Sequence, residues 1–233
     1  MVVLAEYKNT RIQAETLAAI VAGQLTLALE ANGHATLAVP GGGTPAAFLQ
    51  VLSQANIEWK NISVMLTDER FVPENSERSN TRSLRTTLLQ GPAAAATLVP
   101  LYREAARPED VLSDLSDGIR AVLPLDVCVL GMGTDMHVAS LFPEADRLVE
   151  ALLPDCQQVL LPMRAPGAPE PRLTLTAVVL QAAKHKHLLF TGPNKLAAFK
   201  TAEDAGPTSE APVRIFLEPS QNVTAHYSGT TEP

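Results

Sequence analysis

Residues 127–143, VCVLGMGTDMHVASLFP, decide how this chain is read. The apolar run 127–130 has the pattern of a strand buried on both faces. It breaks into a loop, 131–137, that holds two glycines, an aspartate and a histidine. The apolar residues after the loop suggest a helix. A strand, a tight polar loop and a helix in this order fit an open α/β sheet, where ligands bind at the carboxyl ends of strands. Asp135 and His137 would then stand at that edge. A histidine exchanges protons near neutral pH and a nearby carboxylate can orient it. The competing reading is a polar loop with one stray histidine.

The same alternation extends outward. Leu17, Ile20, Val21, Leu25, Ala28 and Leu29 recur at helical spacing, so a helix is expected over about 11–31. Thr10-Arg-Ile-Gln13 has the form of a capping box at its start, and Asn32-Gly33 is a stop signal. A strand over 35–39 ends at Pro40, with Thr44 as N-cap and Pro45 as first residue of a helix of about ten residues. Further strands are expected over 61–66, near Val99, and over 126–130, 159–161, 186–191 and 213–217. Helices are expected over 80–89, 108–122 and from Gly192–Lys195 through Phe199. The segment 172–183 reads two ways, as a strand through LTLT or as a helix through AVVLQAA. The stretches 93–96, 162–171 and 203–210 read as loops. Together these predict an α/β fold, one domain over 1–233, with a mainly parallel Rossmann-like sheet and helices on both faces.

The chain has 233 residues, 46% of them hydrophobic, which suffices for a sizeable core. A net charge of −7 argues against a general nucleic-acid binder, yet a few basic groups in a pocket can still hold a small anion. No apolar run long enough to span a membrane is expected, and the N-terminus lacks the pattern of a signal peptide. Cys128 and Cys156 do not form a disulfide framework, and Cys128 reads as an inert core residue. The expected compartment is the cytoplasm, where the Asn222-Val-Thr sequon has no meaning.

Several loops could carry chemistry. Gly41-Gly42-Gly43-Thr44 follows a strand and lets a ligand approach the backbone, although it is neither a P-loop nor GxGxxG. Thr67-Asp68-Glu69-Arg70 also follows a strand, which places three charges at the carboxyl edge. Arg70 suits a phosphate or carboxylate. Arg172 after the proline-rich loop and Lys195 at a helix start are further candidates. Each of these also reads as an ordinary turn or a surface charge. His185 and His187 would share a strand face and could bind a metal, but no third ligand is evident. His34 and His226 have no context. Ser140 is near His137 without the G-x-S-x-G elbow of a serine hydrolase.

In chain order, VPGGGTP (39–45), TDERFVP (67–73) with Ser79-Asn80 just after, LGMGTDMHVASLFP (130–143) and PRLTLT (171–176) resemble the 6-phosphogluconolactonases across nearly the whole chain. The wider superfamily includes the glucosamine-6-phosphate deaminases/isomerases. Those typically carry Asp-Glu-Tyr and Asn-Glu-Pro where this chain has Asp68-Glu69-Arg70 and Ser140-Leu141-Phe142-Pro143.

The resemblance implies hydrolysis of 6-phospho-D-glucono-1,5-lactone to 6-phosphogluconate in the oxidative pentose phosphate pathway. It implies His137 as general base oriented by Asp135, with Gly42, Gly43, Thr44, Asp68, Arg70, Arg172 and Lys195 around the substrate. It calls for no metal, no other cofactor, and no nucleic-acid or membrane partner beyond the small sugar-phosphate lactone. Where the family usually has Asp-Gly-His-Thr, this chain has Asp135-Met136-His137-Val138. A deaminase/isomerase, a non-catalytic sugar-phosphate sensor, kept open by Met136, and a metal-dependent hydrolase using His185 and His187 are the rival readings.

Overall fold

A computed structural model describes residues 2–229. The strands are β1 (Val3–Tyr7), β2 (Ala35–Val39), β3 (Ile62–Leu66), β4 (Asp68–Arg70), β5 (Thr97–Leu98), β6 (Val127–Gly131), β7 (Leu160–Met163), β8 (Arg172–Leu175), β9 (His185–Thr191) and β10 (Val223–Ser228). The helices are α1 (Thr10–Asn32), α2 (Ala46–Leu52), α3 (Asn80–Thr87), α4 (Leu112–Arg120), α5 (Leu148–Leu152), α6 (Ala177–Gln181) and α7 (Pro193–Glu203). Seven strands form one sheet in the order β1-β10-β9-β6-β2-β3-β5, parallel at every pairing. Helices flank it, as expected of a mainly parallel α/β fold. β4, β8 and β7 make a separate antiparallel ribbon.

The centre of the sheet explains why its strands were legible. Every residue of β2 is buried, as are Val127 to Leu130 of β6, so both strands are apolar without alternation. α1 covers the sheet with Ala14, Leu17, Ala18, Val21, Leu25 and Ala28. Gly33 ends α1 in the left-handed region, its N–H bonding Leu29 O at 2.8 Å. Cys128 is fully buried in β6, and burial pushes its thiol up to about 12, which keeps it unreactive.

Several expectations are corrected. Asn9, not Thr10, caps α1; its Oδ1 accepts from Ile12 N at 2.9 Å. Gln13 turns into the core and donates to Phe190 O and His226 O instead of closing a capping box. Pro45 rather than Thr44 precedes α2, and no side chain caps that helix. The segment 213–217 is not a strand: Pro212–Phe216 is a 3-10 helix, and the last strand is β10. β1 was not expected at all. Residues 138–143 form bridged turns rather than a helix, because Ala139 takes φ 50° and Val138 bridges both Met132 and Leu141. Both readings of 172–183 are right in turn, a strand over Arg172–Leu175 and a helix over Ala177–Gln181. Ala93 is buried in a short 3-10 turn rather than lying in a surface loop. α1 does have the length and apolar composition to cross a membrane, a property its many alanines and sparse charges give it.

His187 and His226 gain partners that the sequence did not disclose. Tyr7 O–H donates to His226 Nδ1 at 2.8 Å, and His226 Nε2–H to His187 Nδ1 at 3.0 Å. His187 Nε2–H donates to Gln24 Oε1 at 2.9 Å. The chain ties β1, β10, β9 and α1 together and requires both rings to be neutral. Burial pushes His187 down to about 3 and His226 down to about 4, the neighbouring histidines adding to the fall at His187. The unfolded chain therefore binds these protons near the ordinary value of 6.5 while the folded chain refuses them until pH 4 or below. The stability that these two rings contribute is thus full above pH 6.5 and is lost as pH falls toward 4. Urea midpoints should drop across that window in the native protein and fall less steeply in His187→Gln. Parallel slopes for the two proteins would remove these rings as the cause.

Candidate active site

The strand order reverses beside β2. The chain adds β3 and β5 on one side of β2, then returns to place β6 on the other. Loops leaving the carboxyl ends of β2 and β6 therefore diverge, and a crevice opens between them. The loops after β3 and β9 border the same edge. A cleft of about 310 Å³ lies there, lined by Gly41, Gly42, Gly43, Thr44, Asp68, Arg70, Asn80, His137, Phe142, Arg172 and Lys195 among others. This volume is at the lower end of the range for small-molecule sites.

The loop after β6 fixes one imidazole. Gly133 N–H bonds His137 O at 3.0 Å, Met136 N–H bonds Gly133 O at 3.1 Å, and Val213 N–H bonds Met136 O at 3.0 Å. These bonds hold Met136 at φ 63°, in the left-handed region that glycine adopts freely and methionine does not. The turn brings Asp135 Oδ1 to 2.5 Å from His137 Nδ1. Burial raises the Asp135 carboxyl, but the hydrogen bond and the ring's charge outweigh it and hold it below its ordinary value. Asp135 thus stays ionised and accepts the Nδ1 proton, which leaves the Nε2 lone pair of His137 free. Gly133 is required here: a Cβ on it would lie 2.3 Å from both the Asp135 carboxylate and the His137 ring.

The ribbon supplies the charge. In the β4–β8 pairing Arg70 stands opposite Arg172 and Asp68 opposite Thr174. Alternate residues share a face, so these four side chains lie on one side and Glu69 on the other. Arg172 is 8% exposed, and its guanidinium makes no hydrogen bond or ion pair with any described residue; its buried Nε has no partner. Its guanidinium sits 5.8 Å from the centroid of the Phe142 ring, whose other neighbour is His137 at 4.3 Å. Burial, then the charge of Arg70, lowers the Arg172 pKa, and the carboxylates of Asp68 and Glu170 act in the opposite sense. Glu170, two residues upstream, is engaged by Arg78. Arg70 Nε is also buried and unpartnered, while its Nη1 donates to Arg78 O at 2.6 Å.

Glu69 faces away and anchors α3. Its carboxylate accepts from the N–H of Asn80 and Thr81 at 2.8 and 2.7 Å, and from the Thr81 hydroxyl at 2.7 Å. A carboxylate at a helix N-terminus is favoured by the helix dipole. The anchor presents Asn80 to the cleft, where its Nδ2 donates to Asp68 O at 3.0 Å.

Lys195, at the start of α7, enters from the β9 side. Burial lowers its pKa, and the charge of Asp135 acts in the opposite sense. In the first loop Gly42 has φ 92°, and no described acceptor takes the N–H of Gly42, Gly43 or Thr44.

Of the residues singled out in the sequence, Gly42, Gly43, Thr44, Asp68, Arg70, His137, Arg172 and Lys195 line this one cleft, and Asp135 touches it through His137. His185 is not part of it, and His187 pairs with His226. Among the described residues no group of three His, Cys, Asp or Glu side chains is placed to hold a metal. Asn80 and Phe142 were missed as site residues. Each stood inside a quoted motif, but neither carries a charge that would mark it.

Comparison with known proteins gives three consistent findings. The family model described as glucosamine-6-phosphate isomerases/6-phosphogluconolactonase matches residues 8–225. The chain is 44% identical to a 6-phosphogluconolactonase of Rhizobium meliloti over 213 residues, 91% of each chain. It is 45% identical to one of Pseudomonas aeruginosa over 206 residues, covering 88% of this chain and 87% of that one. The crystal structure of a 6-phosphogluconolactonase from Shewanella baltica superposes with a TM-score of 0.95 at 29% identity, covering 99% and 98% of the two chains.

The geometry around Gly133 makes a spectroscopic prediction. Long-range 1H–15N NMR should show neutral His137 as the Nδ1–H tautomer. Gly133→Ala should mix the tautomers while the protein stays folded. An unchanged tautomer in Gly133→Ala would mean that the loop does not depend on this close approach.

Proposed function

The chain belongs to the glucosamine-6-phosphate isomerase/6-phosphogluconolactonase family, and on that footing we propose that it hydrolyses 6-phospho-D-glucono-1,5-lactone to 6-phospho-D-gluconate, a step of the oxidative pentose phosphate pathway. The family model spans both isomerases and lactonases, so membership alone does not select the reaction. Relatives at 44 and 45% identity are lactonases, and Arg70 follows Asp68-Glu69 where the deaminases typically carry tyrosine.

The observation that carries the reading is the buried, unpaired guanidinium of Arg172 beside Arg70. Asp68 and Glu170 act on Arg172 only from a distance, and a buried guanidinium without a direct partner is costly. A phosphate dianion supplies the missing charge and bidentate acceptors. Lys195 adds a third cation, and the N–H groups of Gly42, Gly43 and Thr44 face further substrate oxygens. The cleft thus becomes locally positive in a chain of net charge −7.

With the phosphate held, the lactone carbonyl lies against His137. Nε2 takes a proton as a water oxygen attacks C1. The C1–O5 bond then breaks, and the imidazolium returns its proton to the leaving ring oxygen. Asp135 keeps Nδ1–H in place and stabilises the transient imidazolium without taking the proton. Asp68 accepts from sugar hydroxyls. An activated lactone is a reactive ester, so these residues suffice without a metal or organic cofactor. Residues 1–233 act as one domain in this scheme, because loops of the large sheet and strands of the ribbon supply a single cleft. The free thiols of Cys128 and Cys156 support a cytoplasmic setting.

A coupled assay with fresh lactone tests the reaction directly, and activity should survive exhaustive chelation. Restoration by added zinc or magnesium after a chelator-induced loss would transfer the chemistry to a metal. His137→Ala should lower kcat by roughly 100-fold or more, the usual scale for a general base. Near-normal turnover by the folded variant would exclude His137 from that role. Lys195→Ala should chiefly raise KM for the phosphorylated lactone and leave the slow hydrolysis of gluconolactone nearly as it was. An equal effect on both substrates would place the phosphate elsewhere.

A further inference from the structure

Asp68 creates a problem for this arrangement. It shares a ribbon face with Arg70 and Arg172 and is diagonal to Arg172 across the β4–β8 pairing, a spacing that long side chains bridge. A carboxylate so placed ordinarily closes onto a guanidinium as a bidentate pair. Such a pair would neutralise the cation that the substrate's anion needs, and an internal carboxylate competes at a high effective concentration. Yet among the described residues Asp68 forms no direct ion pair with either arginine; its charge acts on Arg172 only from a distance.

The reason is visible in its partners. Ser140 O–H donates to Asp68 Oδ2 at 2.5 Å, and the Thr67 hydroxyl donates to Oδ1 at 3.3 Å. Ser140 is fully buried, 72 residues away in sequence, on the turn that follows His137. Its backbone N–H bonds Thr174 Oγ1 at 3.2 Å, and Thr174 in turn donates to Leu175 O at 3.1 Å. Thr174 is the residue opposite Asp68 in the ribbon. The hydroxyl of Ser140 is therefore locked over the carboxylate by the same cross-strand pair that carries it.

We propose that Ser140 is a positioning residue that holds the Asp68 carboxylate off Arg70 and Arg172, so that both guanidiniums stay available to the anionic group of the substrate. The proposal rests on the reading of this cleft as a phosphate-binding site. It explains why a buried serine beside the catalytic loop belongs to no nucleophilic triad. Its hydroxyl acts on the charge balance of the cleft rather than on the reacting carbonyl.

A double-mutant cycle tests this. The four proteins are the native chain, Ser140→Ala, Asp68→Asn and the double variant. Two readouts are taken: KM and kcat for the phosphorylated lactone, and the Kd of inorganic phosphate by calorimetry. Ser140→Ala should raise both KM and Kd by about 10-fold, the scale of one charge-assisted contact, with a much smaller change in kcat. In the Asp68→Asn background, Ser140→Ala should raise neither constant, because no carboxylate remains to compete. The same factor in both backgrounds, no factor in either, or a fall in kcat at constant KM would overturn the proposal. Should Ser140→Ala fail to fold, Ser140→Cys, similar in size with a weak donor, carries the same cycle. The phosphate Kd needs no turnover, so a chain that binds phosphate as described but does not hydrolyse the lactone would refute the proposed reaction and leave this inference standing.

Discussion

A parallel sheet that grows to one side of a strand and then to the other must part its loops at the point of reversal. Here that point lies between β2 and β6, and the rest of the site follows from it. The loop after β2 is glycine-rich, so its backbone lies open to the crevice. The loop after β6 carries the imidazole on a turn so tight that methionine takes a left-handed conformation. The two loops differ in what they offer, backbone donors on one side and a titratable ring on the other. The chain's own backbone route sets their separation.

The crevice would be a featureless notch without the small antiparallel ribbon beside it. Antiparallel pairing places residues directly opposite one another, and here it sets arginine against arginine. Like charges in that position destabilise a ribbon unless an anion enters. The acidic residues nearby are each otherwise engaged: Glu69 by the N-terminus of α3, Glu170 by Arg78, Asp135 by His137 and Asp68 by Ser140. An acidic protein thereby keeps a positive pocket. The charge is a matter of arrangement rather than composition, which is why net charge alone could not reveal it.

Much of the fold was legible because the central strands carry continuous apolar runs and the loops carry glycine, proline or paired charges. The edge was harder to read. β1 is half-exposed and its short apolar run, Val3 to Ala5, ends at Glu6, while β10 includes His226 and Tyr227, so neither carries the long apolar run of a central strand. The apolar content of 213–217 imitates a strand, but Pro212 and local packing make it a 3-10 turn. Among the residues that line the cleft, the charged and glycine positions stood out from loop context and family resemblance. Asn80, Phe142 and the hydroxyl of Ser140 act through contacts made across 12 to 72 residues of chain, and such contacts leave no local periodicity. The His187–His226 pair escaped notice for the same reason. It joins two strands that lie side by side only in the folded sheet.

The central claim is that Arg70 and Arg172, neither of them in an ion pair, hold the phosphate of a sugar acid or lactone at the switch-point crevice. Calorimetric titration of the native protein with 6-phosphogluconate and with gluconate tests it most directly, since the ligands differ only in the phosphate. The account predicts that 6-phosphogluconate binds at least about 100-fold more tightly, the scale of two charge-assisted contacts, and that Arg172→Leu removes most of that difference. Equal affinity for the two ligands, or a preference that survives in Arg172→Leu, would contradict it.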